Sequence, residues 1–285
     1  MALKAKKLEP VTKRLKLMLF GSAGVGKSWA ASSFPHSYII DGERGLDHYT
    51  DHLAESHSVV LQTTNAEEAI EEVRSLGTEK HGYRTLVIDP ITTLETDLIE
   101  RAEKEFGAGD MRVWGKRDRT MRRLINLVLN LDMNVILVAH GKVEYGDKMA
   151  KLGTTYDGWK RLIYAFDLAI ELERRGARRV GIVRKTRIEA FPDGDVFDFS
   201  YAEIAKRYGE GVVEREAVPV AAASPERVAR LKALIDLLKL DSDTVGAWLK
   251  KANVDGLDDM PADAVEKCID FVDKKIAAAA AGGAQ

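Results

Sequence analysis

The stretch LKLMLFGSAGVGKSWAASSF, Leu15 to Phe34, leaves an apolar run through three glycines set among small residues and arrives at Lys27 and Ser28. Gly21, Gly26, Lys27 and Ser28 fit G-x-x-x-x-G-K-[ST], with a strand-like run before and a helix-like stretch after, which is the context the motif requires. Glycines let backbone N–H groups turn inward around phosphate oxygens, and a helix start adds a favourable dipole. The loop Gly21, Ser22, Ala23, Gly24, Val25, Gly26, followed by Lys27, Ser28 and Trp29, is therefore expected to cradle ATP. Lys27 would reach the β- and γ-phosphates, and the Ser28 hydroxyl would enter a Mg²⁺ shell.

Around this loop the chain alternates short β-rich runs with longer amphipathic ones. Strands are expected at 15–20, 37–41, 58–63, 84–89, 134–140, 167–174 and 178–185. Several are almost continuously apolar, which fits strands covered on both faces. Between them NAEEAIEEVRSLG (65–77) reads as a helix with Asn65 as N-cap and Gly77 as a stop, and DRTMRRLINLVLNLD (118–132) as another. The order predicts an α/β fold, a P-loop NTPase core over residues 15–215 with a mainly parallel central sheet.

Beyond residue 215 the texture changes. EAVPVAAAS (216–224) reads as a linker, and amphipathic stretches at 224–240, 242–252 and 261–276 predict a small three-helix domain over 225–276. Ser224 and Pro225 open the first of these as cap and first helical residue. Residues 277–285, AAAAAGGAQ, are expected to form a disordered tail.

Composition limits the partners. A net charge of -2 excludes a globally basic nucleic-acid coat while leaving room for a local basic patch. Cys268 is the single cysteine, so no internal disulfide can form. No apolar run reaches the roughly 18 residues of a membrane span, and MALKAKKLEP lacks the apolar core of a secretory signal. These features predict a soluble cytoplasmic protein with no membrane partner.

Further polar groups fall at strand ends. RTLVIDP places Asp89 after a buried-type strand, where it would hold the Mg²⁺ shell. Pro90 follows it, so no glutamate beside Asp89 can activate water. Glu43, just past YIID, is the candidate for that task. His140 ends NVILVAH, where it could contact the γ-phosphate and report to the loop that follows.

These segments together resemble the RecA recombinase core over roughly residues 10–200. YIIDGERGLD is similar to the segment carrying that family's catalytic glutamate, here Glu43. FGAGDMRVWGKRDRTMRRLINLVLNLDMNVILVAH is similar, in order and spacing, to its first DNA-binding loop, the following helix and the sensor strand. GWKRLIYAFDLAIELERRGARRVGIVRKTRIEAF resembles the strands after its second DNA loop, with Lys185 and Arg187 at the places that reach a neighbouring subunit's ATP. The sensor position holds His140 where RecA has glutamine. With only a stub before the phosphate loop, the pattern is similar to the compact RecA-like recombinases of bacteriophages, the Sak-four single-strand annealing group. The resemblance implies a RecA-like fold, catalytic roles for Glu43, Lys27 and His140, and an oligomer or filament with ATP at subunit interfaces. It also implies that residues 1–14 could serve as a subunit-linking arm and that the protein works in a bacterial host's cytoplasm.

A physical reading of the loops points to single-stranded DNA on separate grounds. Residues 106–123 hold Arg112, Trp114, Lys116, Arg117, Arg119, Arg122 and Arg123, and residues 141–161 add Lys142, Tyr145, Lys148 and Lys151. Cations that track phosphates, interleaved with planar side chains that stack on bases, suit an unpaired strand. In the C-terminal helices Lys250, Lys251, Lys267, Lys274 and Lys275 could receive an acidic peptide, such as the tail of a single-stranded DNA-binding protein.

The leading expectation is a DNA-stimulated, Mg²⁺-dependent ATPase that anneals or pairs complementary strands in recombination. The alternative is a RecA-fold helicase, loader or packaging motor acting on DNA. A small-molecule P-loop kinase and a nucleotide-gated module without hydrolysis are further readings. Stimulation by single-stranded DNA separates the kinase from the rest.

Overall fold

Strand β1 (Lys16–Gly21) is buried along its whole length and runs parallel to β5 (Asn134–Tyr145) on one side and β7 (Leu168–Arg175) on the other. A computed structural model describes residues 13–145, 151–219, 223–252 and 254–282. Beyond β5 lie β4 (Thr85–Asp89), β2 (Ser37–Asp41) and β3 (Val59–Gln62), all parallel. Beyond β7 lie β8 (Arg178–Thr186) and β9 (Val196–Asp198), both antiparallel. The sheet order is β3-β2-β4-β5-β1-β7-β8-β9, and β6 (Lys151–Tyr156) pairs antiparallel with the far half of β5.

Successive strand side chains point to opposite faces, and both faces are covered. Met18, Phe20, Ile40, Leu86 and Ile88 meet α3 (Ala66–Thr78), α4 (Ile91–Phe106) and α5 (Met111–Asn130) through Ile70, Leu94 and Leu124. Leu17, Leu19, Ile39, Val87 and Ile136 face the other way, onto Ala31 and Phe34 of the α1 (Lys27–Ser32) region and onto Phe191 and Phe197. Smaller helices add to these layers: α6 (Leu162–Ala165) gives Leu162 to the first, and α2 (Thr50–Glu55), α7 (Tyr201–Tyr208) and α8 (Glu210–Val213) give Leu53, Ile204 and Val213 to the second. The α/β architecture with its mainly parallel sheet matches the sequence expectation.

The polar ends of this core are closed by long-range bonds. Lys16 lies buried in β1, and its Nζ donates to the carbonyls of Val128, Leu131 and Met133 at 2.9–3.0 Å. Those groups end α5 and would otherwise be orphaned. Burial pulls the Lys16 ammonium down to about 7. Arg14 does the same for Asp132, Val212 and Arg215, donating to all three carbonyls.

Several boundaries differ from the sequence reading, each for an identifiable reason. Helix α5 begins at Met111 rather than near 118, because Asp110 caps it by accepting from the Arg112 N–H at 2.8 Å. Most of the stretch read as a first DNA loop is therefore helical. Asn65 caps α3 as expected, but Gly77 sits inside that helix, which ends at Thr78. Strand β5 continues past His140 to Tyr145, a hairpin extension with β6 that the sequence did not signal. The last helix runs to Gly282, through part of the segment expected to be a disordered tail, because its alanine run has the highest helix propensity of any residue.

The C-terminal helices are α9 (Pro225–Leu237), α10 (Ser242–Ala252) and α11 (Ala262–Gly282), with one 3₁₀ turn at Leu257–Asp259. Ser224 caps α9. Val228, Leu231, Val265 and Ile269 form an apolar cluster of their own. The bond to the core is electrostatic: Asp259, its side chain 2% exposed, takes Arg74 of α3 at 2.5 Å and Arg123 of α5 at 2.8 Å. Burial opposes ionisation of that carboxyl, yet Arg123 and Arg74 together hold it below the usual range. Arg123, read from sequence as part of a basic DNA face, is thus a docking residue here. Asp259→Ala leaves two arginines facing a vacated site, and removing one partner of a buried ion pair costs about 3–5 kcal/mol. We expect the thermal midpoint to fall by several degrees and limited proteolysis to cleave near residues 216–224 much faster than in the wild type. An unchanged digestion pattern would show that other contacts carry the docking.

Candidate functional site

Parallel register puts the carboxyl ends of β1, β2, β4 and β5 on one edge, with Gly21 opposite His140 and Asp41 opposite Asp89. The chain leaves β1 through the glycine loop, and Gly26 precedes α1 at φ 89° and ψ 36°, a left-handed conformation that glycine adopts without strain. Lys27 Nζ donates to the carbonyls of Gly21 and Ser22 at 2.9 and 3.0 Å, so its ammonium lies across the loop. Burial lowers its pKa, while the carboxylates of Asp89 and Glu43 pull the other way.

Asp89 ends β4 only 6% exposed and shares a hydrogen bond with the Ser28 hydroxyl. Burial pushes its carboxyl up to about 6, helped by the negative charges of Asp41 and Glu43 and opposed by Ser28 and Lys27. Ser28 and Asp89 present two hard oxygens side by side. That set fits Mg²⁺, which takes one or two protein oxygens and completes its shell with phosphate oxygens and water. Bound there, the ion would neutralise charge on the phosphates.

Glu43 is positioned by a turn the sequence did not reveal. The Asp41 carboxylate accepts from the N–H groups of Glu43, Gly45 and Leu46 at 3.1–3.2 Å. Arg44 sits in the left-handed region at φ 55°, and a Cβ built on Gly45 would lie 3.7 Å from Ser28 Oγ. The turn thus abuts the phosphate loop and carries Glu43 to the rim. There Glu43 Oε1 accepts from Thr93 Oγ1 at 3.0 Å and lies 3.1 Å from His140 Nε2. All three line an open cleft of about 370 Å³ with Thr92 and Thr96.

From His140 a chain of bonds leads outward. Its N–H donates to Thr92 Oγ1, the Thr92 hydroxyl donates to the Asp157 carbonyl, and the Asp157 N–H returns to the His140 carbonyl at 2.7 Å. The Asp157 carboxylate then pairs with Lys142 at 3.0 Å. Asp41, Thr92, Thr93 and Asp157 were all missed from sequence. An aspartate ending a strand before glycine was the one legible signal, that of Asp41.

The basic residues divide. Arg112 pairs with Asp110 at 2.8 Å and lies over Phe106, and Lys116 pairs with Glu105. Arg117 is committed to buried Glu95 at 2.9 Å and to Asp118, and lies over the half-exposed Trp114 ring. Read from sequence as part of a DNA surface, Arg117 here also meets a buried partner: burial pushes the Glu95 carboxyl up, and the Arg117 guanidinium opposes that shift. Arg119 and Arg122 are exposed, with no ion pair among the described residues. Tyr145 and Lys151 lie on the β5–β6 hairpin, their side chains outside the described residues, and Lys148 lies outside them altogether. Lys185 donates to the Phe166 carbonyl, and Arg187 pairs with Asp167 at 3.1 Å. Both lie at the edge opposite the phosphate loop, because Thr186 is level with Leu168 and Leu168 with Leu17. At 3.3 Å per strand residue that is roughly 15 Å from the loop's first glycine.

A glycine loop closing on Lys27 and Ser28, with a buried carboxylate at the end of a second strand, defines a P-loop NTPase core. The chain belongs to the AAA domain family AAA_24, which matches residues 13–190, more than half its length. A solved structure similar to it is the crystal structure of the RadB recombinase, with 15% identity and a TM-score of 0.42, covering 66% of this chain and 88% of that one. No curated protein matches the chain. No helix among the described residues is long and apolar enough to cross a membrane.

The folded protein binds the Asp89 proton more tightly than the unfolded chain does. The carboxyl's contribution to stability is therefore complete only below the ordinary value of 3.8, is lost as pH rises to about 6, and above that the buried ionised form opposes folding. A displacement of about two pH units corresponds to about 3 kcal/mol as an upper bound. Asp89→Asn is expected to raise the thermal midpoint of the nucleotide-free protein at pH 7.5, and the gain should shrink steadily as pH falls from about 6 towards 4. A lower midpoint at pH 7.5 would contradict the buried-carboxylate account.

Proposed function

We propose that the chain is a Mg²⁺-dependent ATPase that binds single-stranded DNA and anneals or pairs complementary strands in recombination, in the manner of the compact bacteriophage RecA-like group. The observation that carries this reading is the contact between Glu43 and His140. It joins the candidate water-activating carboxylate to β5, and β5 continues without a break into the hairpin bearing Lys142, Tyr145 and Lys151. A change at the nucleotide rim and a change at the hairpin would act on the same strand.

In this reading the loop N–H groups and Lys27 hold the triphosphate, Ser28 and Asp89 take Mg²⁺, and Glu43 accepts the proton of the attacking water. His140 would register the state of Glu43 through their 3.1 Å contact. Lys185 and Arg187 lie too far to serve their own loop, which supports a role toward the ATP of a neighbouring subunit in an oligomer or filament. Lys142, Arg119, Arg122 and the hairpin would track phosphates, with Arg112, Lys116 and Trp114 alongside where DNA competes for their carboxylate partners. The C-terminal helices, as a separate small domain, would receive a single-stranded DNA-binding protein on exposed Lys250, Lys251 and Lys274.

ATP turnover measured with and without single-stranded DNA tests this directly. The wild type is expected to be stimulated severalfold. Glu43→Gln should lose turnover by roughly 10²- to 10⁴-fold while still binding nucleotide and DNA. Lys27→Ala should lose nucleotide binding and nucleotide-dependent DNA binding together. DNA affinity indifferent to nucleotide would refute the coupling, and fast directional unwinding would favour the motor reading.

DNA affinity should also fall steeply with salt, because each phosphate contact releases counterions. Thr92→Val, which removes the hydroxyl between His140 and Asp157, should lower DNA stimulation of turnover severalfold while leaving the DNA-free rate within about twofold. Equal stimulation in the variant would exclude this route.

A further inference from the structure

The hairpin between β7 and β8, ERRGARR at 173–179, carries four arginines past the same sheet edge as the phosphate loop. Three of them are satisfied locally. Arg174 Nε donates to the Gly176 carbonyl at 3.2 Å, Arg175 pairs with Glu173 at 2.9 Å, and Arg178 pairs with Asp198 at 3.4 Å.

Arg179 differs. It is partly buried, and its guanidinium has no hydrogen bond or ion pair among the described residues. It lies against the phosphate loop: a Cβ built on Gly26 would come 2.3 Å from Arg179 Nε and 3.2 Å from the guanidinium carbon. Its guanidinium carbon lies 5.6 Å from the centre of the Trp29 ring, which is itself stacked on His52 at 4.0 Å. Gly26 suits its place through its left-handed backbone, and the Arg179 side chain occupies the space above its Cα. A half-buried cation without a carboxylate, held beside the loop that turns its N–H groups toward phosphate, is arranged to meet an anion.

The geometry points to Arg179 as a nucleotide-binding residue of its own subunit, taking phosphate oxygens of the nucleoside di- or triphosphate on the loop. This rests on the reading of that loop as a nucleotide site. It assigns a binding role within the subunit to an arginine of the β7–β8 hairpin, whereas Lys185 and Arg187 lie at the opposite edge. Guanidinium is suited to the place because its planar fork can lie flat on Trp29 while pointing N–H groups at phosphate. The aromatic contact then serves to hold the side chain in position.

Equilibrium binding of ADP and of a non-hydrolysable ATP analogue to the full chain tests this, followed by Trp emission and by thermal shift. Arg179→Gln, which keeps the stem and removes the charge, should weaken binding roughly tenfold to a hundredfold. Arg179→Lys should recover part of the loss. The thermal midpoint of the nucleotide-free Arg179→Gln protein should stay within about 2 °C of the wild type. If Arg179→Gln binds nucleotide as the wild type does, the proposal falls and the loop reading stands. A lowered midpoint with unchanged affinity would make Arg179 only a packing partner of Trp29, which likewise overturns it. If the wild type and Lys27→Ala are equally unable to bind either nucleotide, the loop reading itself has failed.

Discussion

Parallel pairing of β1 with β5, and of β5 with β4, is the constraint from which the rest of the site follows. These strands are buried on both faces, so their apolar side chains fix the register: a slip by one residue would turn every side chain to the opposite helical layer. Once that register is set, Gly21, Asp89 and His140 must emerge on one edge, although they lie far apart in the chain. Strand β5 can pass the loop only because Gly141 is a glycine, since a Cβ there would fall 2.6 Å from the Gly21 carbonyl carbon. The sheet thus sets the positions of the phosphate loop, Asp89 and His140 before any of them makes a bond.

The same edge concentrates groups that oppose folding. Asp89 is a carboxyl raised by burial, Lys27 an ammonium lowered by burial, and Arg44 a non-glycine residue at positive φ. Each would be less costly if exposed or replaced, and such clustering is typical where binding or chemistry, rather than stability, selects the residues. Stability comes from elsewhere, from two continuous apolar layers and from Arg14 and Lys16, which close the carbonyl ends of α5 and its neighbours. The division is spatial: the amino ends of the strands hold the fold together, and the carboxyl ends carry the site.

Between that edge and the hairpin runs a bonded path made of four segments. Glu43 comes from the turn after β2, Thr92 and Thr93 from the start of α4, His140 from β5 and Asp157 from the stretch after β6. No two of these segments are neighbours in sequence, and each contributes one or two bonds. A path of that kind gives two sites a common set of groups to rearrange, which is the physical requirement for one to bias the other. Arg117 and Glu95 lie beside it and act differently: they lock α5 to α4 and hold Trp114 under a guanidinium.

The sequence alone determined the features whose cause is local. Glycine spacing and the lysine that follows define the phosphate loop, because backbone geometry there depends on a few adjacent residues. Apolar runs located seven strands, six of them to within a residue at each end and β5 short by five residues, and Asn65 and Ser224 announced their helices through caps that act over three residues. Asp89 was legible as a strand end, whereas His140, read as another, lies inside β5, which runs on to Tyr145. What only the tertiary structure decided was the partner of each charged group. Arg112, Arg117, Arg119 and Arg123 look alike in the chain. Yet one pairs with a cap two residues away, one with a carboxylate 22 residues away, one remains exposed, and one holds an aspartate of the C-terminal helices 136 residues away. A charge is satisfied by whatever the fold brings within about 3 Å, and neither periodicity nor propensity encodes that distance. For the same reason Arg179 was indistinguishable from its three neighbours until the hairpin laid it against Gly26.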